Sequence, residues 1–272
     1  MSDSNFNFGK NWDSYLKKID NRNISYASSN IEEVLGKEYV KNKSFIDIGC
    51  GSGIHSLSAL LLGAKFVKSF DVDNKNIENT KNLIKNFWKD YNYEVKQGNI
   101  LNYSEQNEKF DIIYSWGVLH HTGNLELAIK NSLKYCKNGS VIFLALYEKT
   151  YYCEIWKQIK QFYNSSNFFV KQTILYFYIF LKIIGLIAVL KNPYKHIKNY
   201  HKVDENRGMF FLEDQIDWIG GFPYESITKH DLEKIIGNDF TLKYYKKSKT
   251  GILRSLLGTG CSIYTFQKNQ KQ

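Results

Sequence analysis

The sequence predicts an α/β fold with a doubly wound, mostly parallel sheet. Three observations indicate it: strand-like and helical patterns alternate up to residue 147, a glycine-rich turn follows the first strand, and an aspartate ends the second. Strands that alternate with helices at this rhythm pair in parallel, with helices on both faces of the sheet. Right-handed crossovers then leave few topologies to choose among.

Five strands are predicted in this part of the chain from short apolar runs. They are Ser44–Ile48, Phe66–Phe70, Tyr93–Lys96, Phe110–Ser115 and Ser140–Tyr147. Helical spacing of apolar residues predicts helices between several of them. These helices are Ile54–Gly63, Lys75–Tyr91 and Leu125–Tyr135.

The alternation stops after Tyr147, and residues 148–200 read as helices rich in Tyr, Phe and Ile. A last helix from about Thr228 and two strands, Phe240–Tyr245 and Ser262–Gln267, are predicted to complete the sheet. Four regions follow from these patterns. They are an N-terminal helical cap (1–43), a Rossmann-like core (44–147), a helical insertion that caps the site (148–220), and the C-terminal helix with the final strands (221–272).

The net charge of +10 raises the question of a nucleic-acid or anionic membrane partner. The lysines are scattered, however, and the densest cluster is the short run Lys246–Lys249. Because no recognised nucleic-acid-binding motif accompanies them, a solvated basic surface is the preferred interpretation and nucleic acid is not expected as a partner.

The four cysteines, Cys50, Cys136, Cys153 and Cys261, form no CxxC pair, and the histidines form no cluster at metal-ligand spacing. We therefore predict neither a disulfide framework nor a metal site. The polar start, Met1–Ser4, has no signal-peptide core, so a cytoplasmic location is expected.

One segment, Ile174–Leu190, is apolar apart from Lys182. A membrane-spanning helix needs about 20 apolar residues, and a lysine at its centre is costly in lipid. We predict a buried or cap-forming helix here, with contact to a membrane surface as the alternative.

The run FIDIGCGSG, residues 45–53, places a glycine-rich turn directly after the first strand. Glycines allow a sharp turn and a close approach of ligand to backbone at the edge where open α/β sheets bind ligands. Asp71 follows Gly49 by 22 positions, near the spacing of about 20 expected of a carboxylate that holds ribose hydroxyls. The alternative is that the glycines form only a tight strand–helix turn.

The spacing of this turn is GxGxG rather than the dinucleotide pattern GxGxxG. S-adenosylmethionine (SAM) has an amino-acid end and no pyrophosphate, and Asp47 would suit its ammonium group, directly or through water. The sequence therefore favours SAM over NAD as the cofactor.

With these residues in view, the chain resembles the class I SAM-dependent methyltransferases. The resemblance rests on FIDIGCGSG (45–53), FDVD (70–73) and FDIIYSWGVLHHTGN (110–124). It is also similar to a bacterial subgroup of broad or unassigned substrate. The subgroup's motifs are FGxNW at Phe8–Trp12, RGM at Arg207–Met209, DWxGGxPxE at Asp217–Glu225, and GC at Gly260–Cys261.

The resemblance implies roles for individual residues. Its cofactor-binding positions are Asp47, Gly49, Cys50, Gly51 and Gly53 around the methionine half, Asp71 at the ribose, Val72, Asn99 and Ile100 at the adenine, and Ser115 after the fourth strand. Asn99 departs from the commoner aspartate, although its carbonyl oxygen can still accept a hydrogen bond from the adenine amino group.

Three candidate catalytic residues are His120, His121 and Asp217. A histidine in the loop after the fourth strand could act as a general base, since its pKa lies near physiological pH. Alternatively, both histidines pack the loop and begin the next helix. Asp217 and Glu225 are expected on a loop that returns to the pocket, with a purely structural turn as the alternative.

The resulting functional prediction is O-methylation of a small polar acceptor, such as a sugar or sugar nucleotide of a surface glycan. The alternatives are a quinone or other lipid-like acceptor, an RNA or a protein, or a SAM-binding scaffold without activity. No NPPY-like motif of N-methylating enzymes follows the fourth strand, where SWGV stands. The sequence carries no signal for an oligomeric state.

Overall fold

The computed structural model describes residues 6, 8–36, 38–102, 108–202, 209–248 and 255–270. Among the sequence features discussed above, Met1–Ser4, Arg207, Gly208 and Lys249 lie outside these residues. The strands within the described residues are β1 Ser44–Ile48, β2 Phe66–Asp71, β3 Tyr93–Gln97, β4 Phe110–Trp116, β5 Cys136–Tyr147, β6 Phe240–Lys246 and β7 Cys261–Lys268.

Helices flank these strands along the whole described chain. They are α1 Phe8–Leu16, α2 Asn21–Leu35, α3 Ile54–Leu61, α4 Asn74–Phe87, α5 Leu125–Leu133, α6 Cys153–Ser165, α7 Phe168–Ala188, α8 Pro193–Lys198, α9 Phe211–Gly220 and α10 Lys229–Ile236. Short 3₁₀ turns occur at Ile100–Asn102, Leu119–His121 and Tyr200–Lys202.

The strands form one sheet in the order β3-β2-β1-β4-β5-β7-β6. The first five are parallel, whereas β7 pairs antiparallel with both β5 and β6. The predicted fold class, a doubly wound and mostly parallel sheet, is therefore confirmed. The chain winds outward in one direction from β1 and in the other from β4, so the crevice between their carboxyl ends is the place where such sheets bind ligands.

The two faces of the sheet carry separate apolar cores, because neighbouring residues of a strand point to opposite faces. Phe45 and Tyr114 pack into one core with residues of α2, α3 and α4. Ile46 and Ile113 pack into the other with residues of α5 and α10. The near-continuous burial of β1 and β4 fixes the positions of the two loops that leave their carboxyl ends.

Helix α7 corrects one prediction. It contains most of the apolar segment 174–190, but its buried residues are Leu175 and Tyr178, and most of its remaining apolar side chains are partly or fully exposed. Within the described part of the chain it is the one helix long and apolar enough to cross a membrane, by length and composition only. The prediction was a buried or cap-forming helix, and its buried alternative was wrong, since apolar composition alone does not reveal what a helix packs against.

A second correction concerns Asp217, which was expected on a loop. It lies in the last turn of α9, whose buried residues include Phe211, Gln215 and Trp218 at helical spacing. The helix ends at the glycine pair, where the N–H of Gly221 donates to the carbonyl of Asp217. This ending directs the following segment back toward the carboxyl end of the sheet.

Candidate functional site

A cavity of about 550 Å³ opens at the carboxyl ends of β1, β2 and β4. This volume is in the range of pockets that hold a drug-sized ligand or cofactor. The sequence-predicted site residues that line it are Gly49, Cys50, Gly51, Asp71, Val72, Asn99, Ile100, His121 and Asp217. The structure thus brings together residues from both halves of the chain.

The glycine-rich turn needs its glycines for two reasons. Gly49 and Gly53 have φ angles of +75° and +81°, a region that other residues adopt only with strain. A Cβ on Gly49 would also lie 2.3 Å from Cγ1 of Val118, and one on Gly53 would lie 2.7 Å from the Cα of Thr80. The turn is therefore packed closely against both the β4 loop and α4.

Asp71 holds the glycine-rich turn in place at the floor of the cavity. Its Oδ2 accepts a hydrogen bond from the N–H of Gly51, and its Oδ1 accepts one from the N–H of Asp73, both at 3.0 Å. Burial raises the pKa of this carboxyl. Each carboxylate oxygen has a second lone pair, so Asp71 can still accept hydrogen bonds from ligand hydroxyls.

Asp47 lies behind the turn rather than on the cavity wall. Its Oδ2 accepts a hydrogen bond from the hydroxyl of Ser56 at 2.6 Å, and burial raises its pKa to about 7. Gly53 is the N-cap residue of α3, and Ser115 donates its hydroxyl to the carbonyl of Ile48 at 3.1 Å. In this geometry the three residues support the turn, and any contact of Asp47 with a cofactor ammonium would be indirect.

The far side of the cavity is apolar, with one amide. Val72 is exposed and Ile100 is buried. The side-chain carbonyl of Asn99 accepts a hydrogen bond from the N–H of Leu101 at 2.9 Å and so caps the 3₁₀ turn.

Helix α1, which carries the FGxNW motif, contributes Phe8, Trp12 and Tyr15 to the lining of the cavity. The N–H of Gly9 donates to Oδ2 of Asp73 at 3.1 Å, and the amide of Asn11 donates to the carbonyl of Glu213 at 3.3 Å. Trp12 lies against Gly51, where a Cβ would come within 3.2 Å of the indole nitrogen. The motif was visible in the sequence, but its role as a bridge from α4 to α9 was not.

His121 and His120 have different surroundings. The Nδ1 of His121 lies 2.6 Å from the carbonyl of Pro223, so Nδ1 carries the proton and Nε2 is the acceptor nitrogen. Burial lowers the pKa of His121 to about 3, so the ring is neutral at physiological pH. His120 is fully buried, and its Nδ1 accepts a hydrogen bond from the N–H of Tyr147 at 3.3 Å. Of the two, His121 is the one that lines the cavity.

The DWxGGxPxE segment packs against the loop that carries these histidines. Oε2 of Glu225 accepts a hydrogen bond from the N–H of Leu125 at 3.0 Å, and the N–H of Glu225 donates to the carbonyl of His120 at 3.0 Å. The Phe222–Pro223 peptide is cis. Two motifs about 100 positions apart therefore form one wall of the cavity.

A buried lysine lies behind this wall. The ammonium group of Lys160 donates a hydrogen bond to the carbonyl of Trp218, and the Nζ of Lys160 lies 4.0 Å from the centre of the Trp218 indole ring. Burial lowers the pKa of Lys160 to about 7, while the charge of Asp217 opposes the shift. Sequence reasoning missed this residue, because a single lysine in a helix gives no sign that it is buried.

Sequence reasoning also missed several aromatic and polar side chains that line the cavity. They include Phe6, Tyr15, Asn30, His55, Trp116 and Phe222. The rings of His55 and Trp116 are stacked, with centres 5.4 Å apart. The position of His55 in the first turn of α3, directly after the glycines, was the one available signal. Within the described residues, no group of three or more His, Cys, Asp or Glu side chains is placed to hold a metal ion.

Comparison with known proteins gives three similarities. A family model described as a methyltransferase domain matches residues 40–180. The chain is 33% identical over 111 residues to the ubiquinone biosynthesis O-methyltransferase of Pelagibacter ubique, covering 41% of this chain and 45% of that protein. It is 58% identical over 43 residues to the ribosomal protein L11 methyltransferase of Legionella pneumophila, covering 16% and 15%. The chain thus spans less than half the length of either relative.

Among solved structures, the fold is similar to that of the N-methyltransferase NodS from Bradyrhizobium japonicum in complex with S-adenosylhomocysteine (SAH). The TM-score is 0.54 at 13% identity, and the match covers 96% of this chain and 98% of that one. At this identity the comparison supports the fold alone.

Proposed function

This chain belongs to the methyltransferase-domain family, whose methyl donor is SAM, and on that premise we propose that it methylates a hydroxyl of a small polar acceptor, a sugar or sugar nucleotide. The observation that carries the proposal is the position of His121. Its neutral imidazole lines the same cavity as the glycine turn and Asp71.

The residues that line the cavity fit the cofactor. Asp71 would hold the ribose hydroxyls, and Val72 and Ile100 would pack on the adenine. The glycine turn would admit the methionine half, since glycine brings no side chain into that space. When bound, the cofactor supplies a methyl group already activated by its sulfonium, so the protein mainly provides alignment and exclusion of water.

His121 supplies the acceptor for the hydroxyl proton. Transfer of the cofactor's methyl group to the acceptor oxygen, with the thioether as the leaving group, would make the hydroxyl proton strongly acidic. A weak base suffices for such a proton, and Nε2 of His121 is held in the form that can receive it. The hydrogen bond to Pro223 fixes the orientation of the ring.

A sugar suits the mixed lining of the cavity. That lining combines aromatic rings, such as Trp12 and Trp116, with the polar side chains of Asn30, His55 and Asp217. Aromatic faces pack on the apolar face of a sugar ring, while a few placed polar groups bind its hydroxyls and fix its orientation.

A lipid-like phenol or quinol is the second candidate. It is favoured by a different part of the lining, the apolar side chains of Phe6, Phe8, Met209 and Phe222. The similarity to a ubiquinone biosynthesis O-methyltransferase points in the same direction.

The test is incorporation of labelled methyl from SAM into a panel of nucleotide sugars, free sugars and short-chain hydroquinones. Labelling of a sugar that is lost in His121→Ala supports the first proposal. Labelling of the hydroquinone alone would replace it with the second. Absence of labelling, in a protein that binds SAH, would overturn both.

A further inference from the structure

Helix α7 turns apolar side chains toward solvent. Phe169 is 80% exposed. The other large apolar residues on the same side of the helix are Tyr176, Phe177, Phe180, Ile184 and Ile187. With 3.6 residues per turn, these positions form a single face, which we call the α7 face. An exposed apolar patch of this kind marks a site of interaction.

The opposite side of the same helix is attached to the protein. The hydroxyl of Tyr178 donates to the carbonyl of Leu257 at 2.7 Å, and Lys182 donates its ammonium to Oε1 of Gln215 at 2.6 Å. The lysine near the middle of the helix therefore points inward, while the apolar residues point outward. This arrangement is the reverse of an ordinary surface helix, whose apolar stripe faces the core.

The apolar surface continues beyond α7 and gains positive charge there. Leu190 is 96% exposed, and Tyr194 and Ile197 follow it at helical spacing as exposed residues. Lys191, Lys195 and Lys198 alternate with them and are also exposed. Apolar side chains and lysines thus lie side by side at the end of the α7 face.

The charge of the surrounding segment is one-sided. From residue 155 to residue 202 the sequence contains eight lysines, of which Lys160 and Lys182 point inward, and no aspartate or glutamate. We propose that the α7 face and the lysines after it dock this protein flat on an anionic lipid bilayer. The apolar side chains would enter the boundary between headgroups and acyl chains, and the lysines would pair with lipid phosphates.

Two other occupants fit the surface less well. A second copy of the chain would cover the α7 face, but a symmetric contact would also bring two acid-free, lysine-rich segments together. A nucleic acid would match the lysines but would leave the aliphatic side chains of Ile184 and Ile187 in water. A spanning orientation would break the inward contacts of Tyr178 and Lys182.

The docked face lies one helix away from the cavity. Helix α7 contacts α9, which carries Asp217. Between them, the ring of Trp156 makes edge-to-face contacts with the rings of Tyr178 and Trp218, with centres 5.7 and 5.4 Å apart. Docking would therefore hold the acceptor side of the protein near the bilayer. The inference does not rest on the proposed acceptor, because it uses only exposed residues outside the cavity.

The experiment is flotation of the purified protein with vesicles of phosphatidylcholine alone and of phosphatidylcholine mixed with phosphatidylglycerol. One variant carries Phe177→Ser, Phe180→Ser and Ile184→Ser, and a second carries Lys195→Glu and Lys198→Glu. The matched controls, on α4 and the loop after it, are Tyr91→Ser and the pair Lys81→Glu and Lys85→Glu. SAH binding by every variant checks that it remains folded.

We expect the wild type and both controls to float with the anionic vesicles and to be released by salt. The affinity of the lysine variant for the anionic vesicles should fall at least fivefold per lysine changed. The affinity of the apolar variant should fall to a similar or greater extent. Binding that survives in either variant would overturn the inference. A wild type that binds neither kind of vesicle would also overturn it. The surface would then belong to a second copy of the chain if the wild type elutes as a dimer that the apolar variant dissociates, or to a nucleic acid if the wild type binds RNA.

Discussion

The imidazole of His121 donates its Nδ1 proton to the carbonyl of Pro223 across 2.6 Å, and this bond leaves Nε2 as the acceptor nitrogen of a ring that lines the cavity. The two residues are 102 positions apart in the chain. The bond joins the loop after β4 to the segment after α9, so it fixes both the form of the ring and its direction. A general base needs both.

Replacing His121 should reduce turnover without removing the cofactor site. For His121→Ala we expect kcat to fall by about 10²-fold or more, the size usual for loss of a general base, with SAH affinity nearly unchanged. Steady-state kinetics and calorimetry measure the two quantities, and His230→Ala, an exposed histidine on α10, is the matched control. Equal losses of turnover and SAH affinity would show that His121 supports the pocket instead.

His121 should also affect the pH dependence of stability. Its pKa falls from 6.5 to about 3 on folding, so below about pH 6.5 the unfolded chain binds a proton that the native chain does not. Its contribution is therefore lost as the pH falls from about 6.5 toward 3. In urea unfolding, the free energy of unfolding of the wild type should fall relative to that of His121→Asn as the pH is lowered through this range. A constant difference would contradict the buried, neutral ring.

The pH dependence of stability that Asp47 contributes should have the opposite sign to that of His121. Its pKa rises from 3.8 to about 7 on folding, so between these values the native chain holds a proton that the unfolded chain has released. The stability that this proton confers declines as the pH rises through that range. We expect Asp47→Asn to gain stability relative to the wild type between pH 4 and 7, while the exposed control Asp90→Asn follows the wild type. Parallel curves for wild type and Asp47→Asn would rule out the raised pKa.

Gly9 should be required for the α1 bridge. A Cβ at this position would lie 2.4 Å from Oδ2 of Asp73 and 2.9 Å from Cβ of Lys75, and crowding of this kind costs roughly 1–3 kcal/mol. We expect Gly9→Ala to weaken SAH binding by about tenfold because α1 moves off the cavity. Gly185→Ala, where the added Cβ meets only ordinary contact at 3.5 Å, should leave binding unchanged. Equal affinities for the two variants would mean that α1 does not cover the ligand.

The sheet was predictable because its strands are strongly marked in the sequence. β1 and β4 are followed directly by a glycine and β2 ends in an aspartate, and the structure begins each of the three strands at the predicted residue. The glycine-rich turn was equally visible, since its glycines are needed for local reasons that operate within a few residues.

The remaining features depend on long-range packing. Only the 3₁₀ turn Leu119–His121 decides that His121 faces the cavity while its neighbour His120 is buried. The burial of Lys160 depends on α9, which lies about 58 positions further on. For α7, periodicity identifies the residues that share a face, but the contacts of Tyr178 and Lys182 decide which face points inward.

The most direct test of the central claim, that the cavity binds SAM through Asp71, is calorimetric titration with SAM, SAH and NAD. It would compare the wild type, Asp71→Ala and the exposed control Asp90→Ala. The account predicts micromolar binding of SAM and SAH, on the order of −8 kcal/mol, by the wild type and the control. It predicts loss of binding in Asp71→Ala and no binding of NAD. Binding of NAD alone, or SAH binding that Asp71→Ala retains in full, would contradict it.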